Sequence, residues 1–70
     1  MFTLSLRQAN HIRRYSIHEM EGSGWEVRLE ADRTVTRHAR YHDWHRVERA
    51  LALFRLEISR LTAQGWEAVQ

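Results

Sequence analysis

The stretch Asp43–Gln64, DWHRVERALALFRLEISRLTAQ, decides the fold because it has the pattern of one long amphipathic helix. Apolar residues recur in it at steps of four and three, which places them on one face of an α-helix. This stripe consists of Val47, Leu51, Phe54, Ile58 and Leu61, with Trp44 one step earlier. The stripe needs an apolar partner surface, and the preceding residues predict a small sheet.

Both ends of this helix carry a termination signal. Asp43 is a favourable N-cap, because its carboxylate accepts hydrogen bonds from first-turn amides and lies at the positive end of the helix dipole. Gly65 can adopt the left-handed conformation that ends a helix, so Trp66 should pack back on Leu61 in a Schellman-type contact. Trp66 is therefore interpreted as a structural plug, in preference to a ring-stacking site.

Residues 11–42 predict three strands joined by short turns. His11–Met20 is rich in β-branched and aromatic residues, and Glu21–Gly24 has the composition of a turn. Trp25–Ala31 alternates apolar and polar residues, and Thr34–His42 follows as a third strand after a turn at 32–33. Matching the apolar faces predicts a register. The predicted pairs are Tyr15–Ala31, Ile17–Leu29, Trp25–Tyr41, Val27–Ala39 and Ala31–Val35. Arg37 is a misfit on this face and should reach Glu48 or Glu57.

The predicted fold class is α+β, a three-stranded antiparallel meander (β-β-β-α) with a long C-terminal helix packed on one face. Residues 11–70 would form this single domain. Residues 1–10 are ambiguous: Phe2, Leu4 and Leu6 alternate like a strand, whereas Ser5 and Gln8 fit a capping box, so we expect a tail or a short helical turn.

The order of these elements over residues 11–64 resembles two known families. It is similar in topology to the antitoxin of the Hic type and, if residues 5–10 are helical, to double-stranded RNA-binding domains. The motifs of both families are absent, and Arg46 and Arg49 stand where the RNA-binding domain has a lysine cluster. The resemblance therefore implies a fold only.

The length and composition predict one small soluble domain. Seventy residues without cysteine make a small core that lacks disulfide or thiolate-metal support, so oligomerisation would supply additional stability. No segment has the pattern of a signal peptide or membrane span, so we expect a cytoplasmic protein without a membrane partner.

The charge pattern predicts only weak attraction to polyanions. The pI is about 9.9, but the formal net charge is +2, and net charge is the better guide to partners. All eleven basic residues are arginine, which is typical of a GC-rich bacterial coding sequence.

Three sets of polar residues are candidates for binding sites. In the predicted register His18, Arg28 and His38 share a row on the outer sheet face, where they could hold an anion, although solvated ion pairs with Glu26 and Glu30 are the alternative. Electrostatic contacts to nucleic acid are the second hypothesis, and its residues are Arg13, Arg14, Arg40, Arg46 and Arg49, with Arg7 and Arg60 as further candidates. His42, Asp43 and His45 converge at the helix start, but polar residues of a helix start explain them better than a metal.

The remaining anomaly is an apolar pair on the far side of the helix. Leu53 and Leu56 lie about 140 to 180 degrees from the stripe, bordered by Arg46, Arg49 and Arg60. Single exposed leucines are normal, but two of them in a chain with little core favour a dimer or partner surface. We therefore predict a non-enzymatic homodimeric interaction module with no catalytic, cofactor or metal site. The alternative is a weak electrostatic nucleic-acid-binding protein.

Overall fold

A computed structural model describes residues 2–69, which form a five-stranded antiparallel sheet with one helix across one face. The elements are β1 (Phe2–Gln8), β2 (His11–Glu19), β3 (Trp25–Ala31), β4 (Thr34–Tyr41), α1 (Trp44–Ala63) and β5 (Glu67–Val69). The strand order is β4-β3-β2-β1-β5, so β4 and β5 are the two edges. The predicted α+β class with an antiparallel sheet is confirmed, but the sheet has five strands where three were predicted.

The helix has the predicted ends. The Asp43 carboxylate accepts a hydrogen bond from the His45 amide at 2.9 Å, which satisfies one of the free donors of the first turn. Gly65 has φ +100°, and the Trp66 amide donates to the Leu61 carbonyl at 3.1 Å. This is the Schellman motif, and Trp66 is buried as the predicted plug.

The N-terminal segment forms a strand instead of the expected tail or helical turn. β1 pairs with β2 along its whole length, from Phe2 opposite Ile17 to Gln8 opposite His11. The alternation of Phe2, Leu4 and Leu6 therefore prevails over the capping-box signal, because it buries Leu6 in the core. A strand at this position also removes the resemblance to an RNA-binding domain, which required a helix there.

The last three described residues close the sheet beside β1. β5 pairs with β1 antiparallel, with Val69 opposite Ser5 and Glu67 opposite Arg7. The Schellman turn reverses the chain after α1 and leads it directly into this strand. The four strands before the helix and one after it also differ from the predicted β-β-β-α order.

The register between β2 and β3 differs from the prediction by two residues. Glu19 lies opposite Trp25, Ile17 opposite Val27 and Tyr15 opposite Leu29. The hairpin loop spans residues 20–24, and the Met20 amide donates to the Gly24 carbonyl at 2.9 Å. A shift of two keeps every side chain on its face, so the apolar pattern fits both registers equally well.

The register between β3 and β4 is as predicted up to a bulge. Trp25 lies opposite Tyr41 and Val27 opposite Ala39, but the register shifts between Leu29 and Glu30. Leu29 pairs with Arg37 and Glu30 pairs with Val35, so β4 has one extra residue, Thr36, at this point. The predicted Ala31–Val35 pair is therefore wrong, and Val35 is 42% exposed.

The core lies between the sheet and the helix. Phe54 packs edge-on against Tyr15 with the ring centroids 5.0 Å apart, and Trp44 packs on Trp25 at 5.2 Å. The buried apolar residues are Leu6, Tyr15, Ile17, Val27, Leu29, Val47, Phe54, Leu61 and Trp66. Leu51 and Ile58 of the predicted stripe are partly buried against this cluster. No helix within residues 2–69 is long and apolar enough to cross a membrane.

Candidate functional site

The predicted anion row is not assembled on the outer sheet face. Arg28 and His38 are cross-strand neighbours, but His18 lies opposite Glu26 because of the two-residue shift. His38 Nε2 lies 2.8 Å from Glu26 Oε2, and Arg28 Nε lies 3.2 Å from Glu30 Oε1. The hydrogen bond with His38 lowers the pKa of Glu26 below its ordinary value. Carboxylates of the protein itself therefore occupy the positions where an external anion would bind.

The candidate nucleic-acid arginines are spread over different surfaces. Arg13 lies on the helix-facing side, where its guanidinium is 5.1 Å from the Trp66 ring centroid. Arg14 lies in β2 on the outer face and donates to the Ser5 hydroxyl at 3.3 Å, and Arg40, opposite Glu26, is on the same outer face. Arg46 and Arg49 lie on the opposite side of the sheet, on the exposed part of α1. These five residues do not form one continuous patch.

Two arginines hold the helix to the sheet through one carboxylate. Arg37 lies 3.3 Å from Glu57, as predicted, and Arg13 approaches the same carboxylate at 4.0 Å. Tyr15 is buried beside this group, and within the described part of the chain its hydroxyl has no hydrogen-bond partner. Burial raises the pKa of Tyr15, an effect that Arg13 partly offsets. Arg13 and Arg37 therefore serve the packing of α1.

The polar residues at the helix start have structural contacts. Asp43 caps the helix, and His45 Nδ1 lies 3.7 Å from Glu48 one turn later. From Phe2 to Val69, no three His, Asp or Glu side chains are grouped so that they could hold a metal ion. The cap accounts for the presence of Asp43 in the His42–His45 segment.

Leu53 and Leu56 lie on the exposed side of α1, as the helical pattern predicts. Leu53 and Leu56 are 59% and 58% exposed, and they line a shallow groove together with Arg37, Glu57 and Arg60. We define the exposed leucine face as Arg49, Leu53, Leu56 and Arg60. These four positions are spaced by four, three and four residues, so they follow one line along the helix surface.

A second groove lies between α1 and β4. It has a volume of about 400 Å³, and its walls are the helix-facing side of β3 and β4 and the side of α1 that bears Leu53. The lining residues of this β4 groove are Val27, Arg37, Ala39, Tyr41, Arg46, Arg49, Ala50, Leu53 and Phe54. Its floor is apolar and its charged lining residues are all arginine.

The sequence reasoning identified Arg46 and Arg49 but missed the groove. It assumed that the helix covers the whole apolar face of the sheet, whereas Ala39 and Tyr41 remain partly exposed beside it. A signal for this site was present in the sequence. The stretch 33–42, RTVTRHARYH, contains three arginines, two histidines and no carboxylate.

Comparisons with protein-family models, curated proteins and solved structures gave no match to this chain.

Proposed function

We propose that this protein is a non-enzymatic interaction module that forms a homodimer through the exposed leucine face of α1. The observation that supports it is the exposure of Leu53 and Leu56, which are the two most exposed large apolar side chains among the described residues. Adjacent exposed leucines on a rigid helix are typical of an association surface. The small core gives a second reason, because association would bury additional apolar area.

The spacing of this face fits a helix pair. Positions 49, 53, 56 and 60 follow the four-three-four spacing of a heptad seam. In an antiparallel pair centred between Leu53 and Leu56, each Leu53 would meet Leu56 of the second copy. The same symmetry would place Arg49 opposite Arg60 of the second copy, so the apolar centre would have like charges at both ends.

The decisive experiment compares two charge-matched double variants. Leu53→Glu with Leu56→Glu places carboxylates in the seam, and Ser23→Glu with Thr62→Glu places them in the β2–β3 loop and on the exposed flank of α1 away from the seam. We expect the first variant to be a folded monomer and the second to keep the wild-type mass, measured by light scattering over a range of concentrations. Circular dichroism checks that both variants fold. A monomeric wild type, or a Leu53/Leu56 variant with unchanged mass, would contradict the proposal.

Electrostatic nucleic-acid binding is the second candidate. Its support is that Arg46 and Arg49 form no ion pair within residues 2–69. Against it, the aromatic residues of β2, β3 and β4 lie on the helix side, so the outer face offers no ring on which bases could stack.

The response to added salt distinguishes nucleic-acid binding from dimer formation. Added salt should weaken nucleic-acid binding because counterion release drives that binding. It should strengthen the dimer, because it screens the repulsion between Arg49 and Arg60 of the two copies. A protein partner and a cytoplasmic location remain predictions from the sequence.

A further inference from the structure

The β4 groove differs from the exposed leucine face in the charged residues that line it. Three arginines line it, at positions 37, 46 and 49, and no acidic residue does. Arg37 is engaged by Glu57 at 3.3 Å, whereas Arg46 and Arg49 have no ion-pair partner in the described chain. An occupant that brings carboxylates to this rim would therefore find two unpaired guanidinium groups.

The groove lies along an open sheet edge. β4 has β3 on one side and no strand on the other among the described residues, so every second residue presents its backbone N–H and C=O outward. This edge is eight residues long, in contrast to the three residues of β5 at the other edge. An extended peptide can pair with such an edge by main-chain hydrogen bonds while its alternate side chains enter the groove.

The positive charge of β4 indicates which kind of strand could pair with this edge. Because residues 33–42 contain three arginines and no carboxylate, the β4 strands of two copies would repel each other if they paired. Charges on an edge strand oppose self-pairing in this way. The same charges attract an acidic strand, and Arg40 adds a positive group on the outer side of the edge.

We propose that the β4 groove binds an acidic, extended peptide segment of another protein, which adds to the sheet as a strand beside β4. Its central inward side chains are apolar and fill the space between Val27, Ala39 and Tyr41, and the inward acidic residues that flank them meet Arg46 and Arg49. The inference rests on the proposed interaction function in one respect, since Arg49 and Leu53 belong to both surfaces.

The test is direct binding of a fluorescein-labelled heptapeptide, Glu-Glu-Val-Glu-Phe-Glu-Glu, followed by fluorescence anisotropy at low salt. The variant Arg46→Glu with Arg49→Glu reverses the charge of the rim. The matched control, Arg7→Glu with Arg55→Glu, makes the same charge change on β1 and on the flank of α1 away from the groove. A heptapeptide with lysine in place of glutamate controls for non-specific association.

We expect the acidic peptide to bind the wild type and the control variant within about twofold of each other, and to bind the rim variant at least about tenfold more weakly. Hydrogen exchange should slow at β4 amides when the peptide binds, because strand addition gives them acceptors. Equal binding to both variants, no binding, or protection away from β4 would overturn the inference.

One further variant separates this inference from the proposed dimer. Leu56 belongs to the exposed leucine face but not to the β4 groove, so Leu56→Glu should weaken self-association and retain peptide binding. A monomeric wild type that binds the peptide would contradict the proposed dimer and support peptide binding in the β4 groove. An increase in mass that persists in Leu56→Glu and disappears in the rim variant would show that a second copy fills the groove, and would overturn the inference.

Discussion

The two long sides of α1 differ in how the chain covers them. On the β1 side the chain returns after Gly65, buries Trp66 in the core cluster that contains Leu6 and Leu61, and adds β5 to the sheet. The Gln8 side chain donates to the Gln64 carbonyl at 2.8 Å across this closure. On the β4 side no segment of the described chain returns, and the groove and the exposed leucine face remain open. The contrast teaches that the chain supplies its own cover on one side and leaves the other available to a partner.

The largest effect is expected when a leucine on each side of α1 is replaced by alanine. Leu61→Ala should lower the free energy of unfolding by about 3 kcal/mol, because Leu61 is buried under Trp66 and its truncation leaves a cavity. Leu53→Ala should cost less than about 1 kcal/mol, because Leu53 is already exposed to water. Urea unfolding measures both, at a low protein concentration where the proposed dimer would dissociate. Equal decreases in the free energy of unfolding for the two variants would mean that Leu53 is buried in solution, which would contradict the exposed position described here.

A smaller effect is expected at a backbone contact that holds the open side. A Cβ at Gly24 would lie 2.8 Å from the Tyr41 carbonyl oxygen, whereas a Cβ at Gly22 would meet nothing within 4 Å. Both glycines have positive φ, so alanine at either position costs about 1–2 kcal/mol of backbone strain. Gly24→Ala should cost about 1 kcal/mol more than Gly22→Ala, because it pushes the end of β4 away. Thermal unfolding measures the melting temperature of each variant. Equal decreases would mean that the Tyr41 carbonyl lies farther from Gly24 than described here.

The smallest effect concerns a polar contact that joins the β3–β4 turn to β2. The Asp32 carboxylate accepts one hydrogen bond from the Ile12 amide, and its other oxygen lies 2.9 Å from His11 Nδ1. The hydrogen bond with His11, and then that with Ile12, lowers the pKa of Asp32 below its ordinary 3.8. A carboxyl group whose pKa is lowered by folding stabilises the fold above its unfolded pKa and loses that contribution as pH falls through the folded value.

The stability difference between wild type and Asp32→Asn should therefore be constant at pH 5 and above, and should shrink below about pH 4. Urea unfolding across this range measures it. Glu21→Gln, in the exposed loop before β3, provides a control whose difference from wild type should stay near zero. A difference that grows as pH falls would contradict the assignment.

The parts of the fold that depend on local signals could be predicted from the sequence. Asp43, Gly65 and the stripe of α1 act within a few residues of themselves, and the ends of the helix were accordingly predicted correctly. β1 was missed because its alternation competes with a capping-box pattern, and β5 because three residues carry no periodicity. The β2–β3 register was wrong since a slip of two residues leaves the apolar faces unchanged, and this slip separated His18 from Arg28.

The candidate site was predictable only in part. The exposure of Leu53 and Leu56 follows from helical geometry alone, so the sequence was sufficient. The β4 groove depends on where the helix lies across the sheet, which is a tertiary property. The bulge at Thr36 also has no signature in the sequence, and it turned Val35 away from the predicted face.

The pairing of β5 with β1 has a consequence for how the molecule folds. This pair joins residues 5–7 to residues 67–69, so the described sheet can be completed only after residue 69 has been synthesised. Contacts of such large sequence separation slow folding, because the loop between them must be closed before they form. During synthesis one edge of β1 would stay unpaired until β5 emerges from the ribosome. Nascent chains should then be most prone to aggregation in the interval when α1 has formed but β5 has not.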